Sequence, residues 1–376
     1  MKESALYIHI PFCEHKCIYC DFYSVITKEN VEKYLGALKK EISYYSAIHS
    51  EGRLFTSVFF GGGTPSLMEP SYIGEILDFL KSNFSVSGSA EITLETNPGT
   101  VDSKRLRDFL SLGINRLSVG VQSFDNDELK FLTRIHDRQT AINTIKEANS
   151  IGFENINLDL IFNLPGQTKK RWLSNLETAL QLPVNHISAY SLILEKGTIL
   201  NKMVLDGRVK LQDSDYDAEI YQLTIDFMRS HDFHQYEVSN YAKEGFECRH
   251  NKAYWQYMDY LSFGTSAHSF VNGRRWWNFS NISRFISEIC KNGNAVASFE
   301  DLTNEQMLTE YVMLALRSNG LNIQSLKDRF GDEWINGRYS MLKSFQKRGL
   351  LFFENNHVYL TDKGYALCDE ILEKIL

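Results

Sequence analysis

The chain has 376 residues, 43% of them hydrophobic and 13% aromatic, which suffices for two domains or one large α/β domain with an appendage. Its net charge is −7 and its charges form no blocks, so nucleic-acid binding through clustered Lys and Arg is not expected. No apolar run approaches the roughly 20 residues of a membrane span, and MKESALYIHIPF lacks the apolar core of a signal peptide. Because the six cysteines also show no disulfide pattern, we expect a cytoplasmic protein.

Apolar strand-like runs alternate with helical patterns in the first half of the chain. Strands are predicted at Ala5–Ile10, Thr56–Phe60, Ala90–Glu95, Arg116–Val121, Asn155–Ile161 and His186–Leu192. Helices are predicted at Val31–Ile48, Tyr72–Asn83, Lys104–Leu112, Ala141–Ile151 and Arg171–Leu180. Such repeated βα units with apolar strands indicate a parallel sheet covered on both faces. Because most strands end in polar or glycine-rich sequence, we predict an α/β fold built on a partial (βα)6 barrel whose site lies at the C-terminal ends of the strands.

The βα repeat stops beyond Leu194. A helix at Tyr216–Arg229, a strand at Gln235–Ser239 and an aromatic region from Tyr254 to Trp277 follow. The last part of the chain is predicted to form three helices and a hairpin, at Glu305–Arg317, Ile323–Phe330, Gly337–Arg348, Leu350–Glu354 and His357–Leu360. This order is typical of a winged-helix-like α+β module, used here as a lid or docking domain because no basic stripe is present. We therefore predict three parts, residues 1–230, 231–300 and 301–376.

Three cysteines follow the first predicted strand with the spacing C-x3-C-x2-C. Cys13, Cys17 and Cys20 could hold three irons of a [4Fe–4S] cluster and leave the fourth iron open to a small molecule. The alternatives are a zinc site completed by His9 or His15, and a disulfide staple. The zinc site is disfavoured because no second C-x2-C pair exists, and the staple because the spacing is too local for a framework.

Several polar positions at predicted strand ends are further candidates. The Gly61–Pro65 loop (GGGTP) would let backbone approach a ligand without Cβ interference, although a tight turn explains it equally. Glu95 could receive a hydroxyl or an amino group, or be a solvated loop acid. Gln122, Arg134 and Asp159 are individually ordinary, and Arg134 suits a carboxylate ligand because guanidinium binds carboxylate bidentately.

A second cluster of candidates lies outside the predicted barrel, in the run CRHNKAYW. If this run is helical, His250 and Tyr254 share one face. A histidine among aromatic side chains could be an axial haem ligand, with Cys248 as a fallback thiolate, or simply a histidine of an aromatic core. Covalent haem attachment is not predicted because no C-x-x-C-H occurs.

The chain resembles the radical S-adenosylmethionine (SAM) superfamily and, within it, the oxygen-independent coproporphyrinogen III oxidase family. The resemblance rests on YIHIPFCEHKCIYCDF, FFGGGTPS, ETNPG, INRLSVGVQSF, NLDLIFNLPGQT, SLILEKGT, YEVSNYA and HNKAYW. It implies a [4Fe–4S] cluster on the three cysteines, with SAM chelating the open iron and cleaved to a 5′-deoxyadenosyl radical after reduction. It also implies contacts to this SAM from Tyr7, Gly62 and Glu95. The positions implied to hold a second SAM are Gly63, Thr64, Gln122, Arg134 and Asp159.

Two departures from the oxidase separate the chain from that enzyme. Phe22 stands where the oxidase has a further cysteine, and Tyr7 lies near the terminus where the oxidase has a long extension. Together with HNKAYW, these features resemble the haem-chaperone branch (HemW type), which implies haem binding at His250. Asn163, where relatives commonly have Gly, is given no function.

We therefore expect a protein that binds haem and transfers it to an acceptor protein. The sequence does not identify the acceptor, for which a membrane-bound respiratory enzyme is one candidate. It also leaves open whether the protein forms a homodimer. The competing hypothesis is the oxidase itself, which converts two propionates of coproporphyrinogen III to vinyl groups. A third hypothesis is another radical SAM enzyme, and whether the protein is an enzyme stays open between these alternatives.

Overall fold

The computed structural model describes residues 1–27 and 29–376. The described strands are β1 (Lys2–Ile10), β2 (Arg53–Gly62), β3 (Val86–Thr96), β4 (Arg116–Gln122), β5 (Asn155–Phe162), β6 (His186–Ser191), β7 (His234–Gln235), β8 (Asn240–Ala242), β9 (Tyr260–Phe263), β10 (His268–Val271), β11 (Arg274–Asn278), β12 (Val296–Asp301), β13 (Leu321–Asn322), β14 (Leu351–Glu354) and β15 (His357–Leu360). The described α-helices are α1 (Val31–His49), α2 (Pro70–Asn83), α3 (Ser103–Ser111), α4 (Asn126–Phe131), α5 (Arg138–Ile151), α6 (Lys169–Leu180), α7 (Ile199–Leu205), α8 (Ser214–Arg229), α9 (Arg249–Trp255), α10 (Ile282–Asn292), α11 (Asn304–Leu316), α12 (Ile323–Phe330), α13 (Glu333–Lys347), α14 (Asp362–Ala366) and α15 (Cys368–Ile375). None of these helices is long and apolar enough to cross a membrane.

The first six strands form the predicted partial barrel. Strands β1 to β6 are parallel and adjacent in chain order, with helices between them. The outer edges of this group are paired with β9 beside β1 and with β8 beside β6, so within the described ranges the sheet does not close on itself. The prediction of a parallel α/β fold is therefore confirmed, and the strand C-termini share one mouth.

Local sequence explains where the helices of these units begin. The side chains of Asp102, Asp137 and Thr168 each precede a helix and accept a hydrogen bond from a backbone N–H of its first turn. Each cap satisfies a donor that the helix leaves unpaired, which holds the βα loops in place at the mouth. The strands are buried on both faces, as in β4, where every residue except Gln122 is buried.

The sheet continues on both sides beyond the barrel strands. The aromatic region supplies β9, which is parallel to β1, and the antiparallel strands β10 and β11, followed by β12. The predicted strand Gln235–Ser239 is wrong beyond its first residue, because Gln235 ends the short strand β7 and the next four residues turn into the antiparallel strand β8. Since residues 231–300 join the same sheet, we propose two structural units, 1–301 and 302–376, in place of three.

The C-terminal unit has its own hydrophobic core and the predicted winged-helix-like order. Helices α11, α12 and α13 are followed by the β14–β15 hairpin, whose second strand also pairs with β13. Asn355 and Asn356 have φ values of 45° and 64°, which is the left-handed geometry of a tight hairpin turn that Asn tolerates. The unit contacts the main sheet through Glu310, whose carboxylate lies 2.7 Å from the Arg275 guanidinium.

Candidate functional site: a cavity at the barrel mouth

A cavity of about 480 Å³ opens at the C-terminal ends of the barrel strands. The predicted residues in its wall are Cys13, Cys17, Cys20, Gly62, Gly63, Thr64, Glu95, Gln122, Arg134 and Asp159. These residues come from strands β2 to β5, from the loops after β1 and β2 and, for Arg134, from the segment between α4 and α5. The topology thus brings together groups up to 146 positions apart in the chain. Tyr7 and His250 are the two predicted site residues that lie behind this wall.

The three cysteines of the loop after β1 are free thiols that reach the cavity. All three are partly accessible, and none is in a disulfide. The Cys13 Sγ lies 3.3 Å from the Thr64 Oγ1, and the Arg134 Nη1 lies 3.6 Å from the Cys17 Sγ. Within the described ranges, no group of three or more His, Cys, Asp or Glu side chains converges on one metal-ion position. A cluster that binds one thiolate per iron fits this donor set, since each sulfur then meets a different iron.

The cysteine loop is anchored to the first strand through His9. The buried His9 ring makes hydrogen bonds with the Tyr7 hydroxyl (3.2 Å) and the Tyr23 carbonyl (2.9 Å), and Cys13 N–H donates to the Val25 carbonyl (2.9 Å). Burial lowers the pKa of His9 to about 4, so the ring is neutral. Because these two hydrogen bonds occupy both ring nitrogens, His9 links β1 to the cysteine loop and holds the loop in place.

Glycine is required in the loop after β2 because the chain passes very close to its neighbours there. Gly62 has φ 113°, and a Cβ on it would lie 2.5 Å from the His9 ring. A Cβ on Gly63 would lie 2.6 Å from the Phe12 carbonyl oxygen. Between these contacts, the Gly62 N–H donates to Glu95 Oε2 at 3.1 Å. Both close approaches are to the protein's own atoms, so packing alone requires glycine here, and approach of a ligand to this backbone stays a prediction.

Two partly buried carboxyl groups, those of Glu95 and Asp159, face the cavity. Burial, followed by the nearby charge of Asp159, raises the pKa of Glu95 to about 8. Burial also raises the pKa of Asp159, which accepts hydrogen bonds from Asn157 (2.7 Å) and from the Ser118 hydroxyl (3.3 Å). A cationic ligand placed beside these groups would offset the cost of burying their charge.

Arg134 and Gln122 also line the cavity. The Arg134 guanidinium donates to the Gly120 carbonyl at 2.6 Å and to the Asn97 Oδ1 at 2.5 Å, so part of its donor capacity is already used. Gln122 has φ 68°, a left-handed conformation that is uncommon for residues other than glycine and is concentrated at functional sites. This conformation coincides with a register irregularity between β4 and β5.

His250, the predicted haem ligand, is only 2% exposed and has no free ring nitrogen. Its Nδ1 lies 3.0 Å from the Ser57 Oγ, and its Nε2 lies 2.9 Å from the Tyr254 hydroxyl. Burial lowers the pKa of His250 to about 3. Burial also raises the pKa of Cys248, the fallback ligand, to about 12, and its thiol lies 3.4 Å from Glu91. Haem ligation by either residue stays a prediction, and it would require α9 to move.

Sequence reasoning missed several polar residues in the cavity wall, among them Asn97, Arg116 and Asn251. Asn97 donates to the Thr64 Oγ1 at 2.8 Å and accepts from Arg134, so it links two predicted residues. Its position in ETNPG, two residues after Glu95, was a usable signal. Arg116 also lines the cavity, and nothing in its local sequence distinguishes it from an ordinary polar residue. Asn251 lines it too, and its position in HNKAYW, directly after His250, was a usable signal.

Comparison with known proteins assigns the chain to a family. Residues 7–179 match the radical SAM superfamily, and residues 302–367 match the HemN C-terminal domain. Similar proteins named heme chaperone HemW include that of Bacillus subtilis, 36% identical over 98% of both chains, and that of Lactococcus lactis, 30% identical over all of this chain and 98% of the relative. The solved structure of Escherichia coli coproporphyrinogen III oxidase (HemN) matches with a TM-score of 0.84 at 23% identity, covering 100% of this chain and 90% of that one, a likeness of fold. The chain belongs to the radical SAM superfamily and, within it, to the family of HemW haem chaperones.

Proposed function

We propose that the protein binds haem and delivers it to an acceptor protein while carrying a [4Fe–4S] cluster and SAM in the barrel-mouth cavity. The observation that supports this most is the full-length similarity to proteins named heme chaperone HemW, together with three free cysteines on the rim of one cavity. Cys13, Cys17 and Cys20 would each bind one iron of the cluster. When bound, the cluster supplies a site for chelating SAM and an electron for its reductive cleavage.

The side chains of the cavity wall suit a ligand that carries both positive and negative groups, as SAM does. SAM carries an ammonium, a sulfonium and a carboxylate, and the cavity wall offers Glu95 and Asp159 for positive groups and Arg134 for negative ones. Gly62 and Gly63 also line the cavity, where they present backbone without a side chain. Volumes of about 300–1,000 Å³ are usual for small-molecule sites, and this cavity lies within that range.

The competing activity is oxidative decarboxylation of coproporphyrinogen III. One anaerobic experiment on reconstituted protein distinguishes haem binding from this activity. Haem titration should give a Soret band that saturates at a fixed ratio to protein, and incubation with coproporphyrinogen III, SAM and a reductant should give no protoporphyrinogen. Turnover to protoporphyrinogen, or the absence of saturable haem binding, would overturn the proposal.

A further inference from the structure

The HNKAYW sequence, residues 250–255, lies inside the open side of the barrel. It forms most of helix α9, which begins where Glu91 of β3 accepts hydrogen bonds from the backbone N–H groups of Arg249 (3.1 Å) and His250 (3.2 Å). A carboxylate at the first turn of a helix satisfies free N–H donors and interacts favourably with the helix dipole. The helix is thereby fixed against the barrel strands and presents its side chains to them.

His250 packs beside two aromatic rings, that of Phe59 in the cavity wall and that of Tyr7 behind it. Its imidazole stacks on the Phe59 ring, with centroids 5.0 Å apart and planes inclined by 28°, and lies 6.2 Å from the Tyr7 ring. Tyr7 and Phe59 are register partners on β1 and β2, and Phe59 itself lines the cavity. Because hydrogen bonds to Ser57 and the Tyr254 hydroxyl hold both imidazole nitrogens, the ring has one orientation.

Asn251 turns to the cavity. Successive residues of a helix point about 100° apart, so the residue after His250 faces a different neighbour. Asn251 lines the cavity together with Asp159 and Arg116, and among the described residues its side-chain amide has no hydrogen-bond partner. An amide with free donor and acceptor groups in the wall of a polar cavity is suited to bind a polar ligand.

We propose that HNKAYW belongs to the SAM site. Asn251 binds SAM directly through its amide, and His250 is a positioning residue that holds Tyr7 and Phe59 against the cavity. The inference rests on the proposed function in one respect, namely that SAM is the ligand of this cavity. It differs from the haem-ligand prediction in what the motif recognises, since an iron ligand needs a free ring nitrogen and His250 has none.

The test uses full-length protein with a reconstituted cluster, and it measures SAM affinity by equilibrium dialysis and the electron paramagnetic resonance (EPR) spectrum of the reduced cluster with and without SAM. Asn251→Ala should weaken SAM binding about 3- to 10-fold, as expected for one lost hydrogen bond, with iron content unchanged. His250→Ala should weaken SAM binding and reduce the change that SAM causes in the EPR spectrum. His250→Gln should recover part of both, because its amide can still bond to Ser57 or Tyr254. Asn143→Ala, on the exposed face of α5, is the matched control and should behave as wild type.

Haem titration of the same proteins separates this inference from the proposed function. Asn251→Ala and His250→Ala should retain the wild-type Soret band and haem stoichiometry. Wild-type SAM affinity in Asn251→Ala would overturn the inference, and so would loss of haem from His250→Ala with normal SAM binding. Failure of wild-type protein to bind haem would overturn the proposed function alone, since the SAM titrations decide the inference separately.

Discussion

Replacing Gly63 by alanine should destabilise the barrel mouth and impair cluster binding. The added Cβ would lie 2.6 Å from the Phe12 carbonyl oxygen and 2.9 Å from the Ile10 carbonyl oxygen. These same oxygens accept hydrogen bonds at 2.8 Å from the N–H groups of Thr64 and Gly63, respectively. The neighbours are backbone atoms, so the cysteine loop itself must shift to relieve the overlap. Overpacking of this kind costs about 1–3 kcal/mol, and we expect the free energy of unfolding to fall by that amount.

Gly88→Ala is the control for this substitution. Gly88 lies in the exposed first part of β3, and no atom lies within 4 Å of its added Cβ, so its effect should stay below about 0.5 kcal/mol. Urea unfolding of the cluster-free proteins gives the free energies, and iron and sulfide per chain after reconstitution give the cluster content. Equal stability and equal iron content in the two variants would refute the argument that close backbone packing at Gly63 sets the position of the cysteine loop.

Three further predictions concern the cysteines and the carboxyl groups of Glu95 and Glu41. Replacing any one cluster cysteine by Ser should abolish the broad visible absorption of the reconstituted protein, whereas Cys290→Ser, at an exposed cysteine far along the chain, should retain it; retention after a cluster-cysteine replacement would contradict the ligand assignment. Burial raises the pKa of Glu95 to about 8, so this carboxyl holds a proton at pH 7, and a positive group of SAM placed beside it would lower that pKa again. SAM binding at pH 7 should therefore release up to about one proton, measured by calorimetry in buffers of different ionisation enthalpy, and Glu95→Gln should lose this release; equal release by both proteins would contradict the prediction. Burial raises the pKa of Glu41 from 4.5 to about 8 despite hydrogen bonds from Gly264 and Asn278. Between these two pH values the folded chain holds a proton that the unfolded chain has lost, so the free energy of unfolding should fall as pH rises from about 4.5 to about 8. Glu41→Gln should flatten that dependence in urea unfolding, and an unchanged slope would show that other groups cause it.

The barrel could be predicted because its information is local. Each of the six strands is a short apolar run between polar loops, and the observed strands contain nearly all of the predicted residues. Several cavity residues could be predicted for the same reason, since GGGTP and the cysteine spacing are each continuous in sequence. The error at Gln235–Ser239 has the opposite origin. Its pattern suits a strand, but Tyr236 to Ser239 turn between β7 and β8 because the two strands pair antiparallel with each other.

The remaining misses depend on partners that lie far away in the chain. The aromatic region was not predicted to be strands β9 to β11, because only pairing with β1 makes β9 part of the sheet. The prediction for His250 used its aromatic neighbours in sequence, whereas its environment is set by Ser57 and Phe59 on β2. Single polar residues outside any motif, such as Arg116, can be assigned to the site only when the cavity is known.

The position of β1 in the sheet determines when the chain can complete its fold during synthesis. β1 pairs with β2 on one side and with β9 on the other, and Ala5 and its partner Tyr260 are about 250 positions apart in the chain. Until β9 has been synthesised, the free edge of β1 exposes unpaired backbone groups, directly before the loop that carries the cysteines. Chains shortened before residue 260 should therefore aggregate more readily than the full chain, and iron insertion should follow the synthesis of most of the protein.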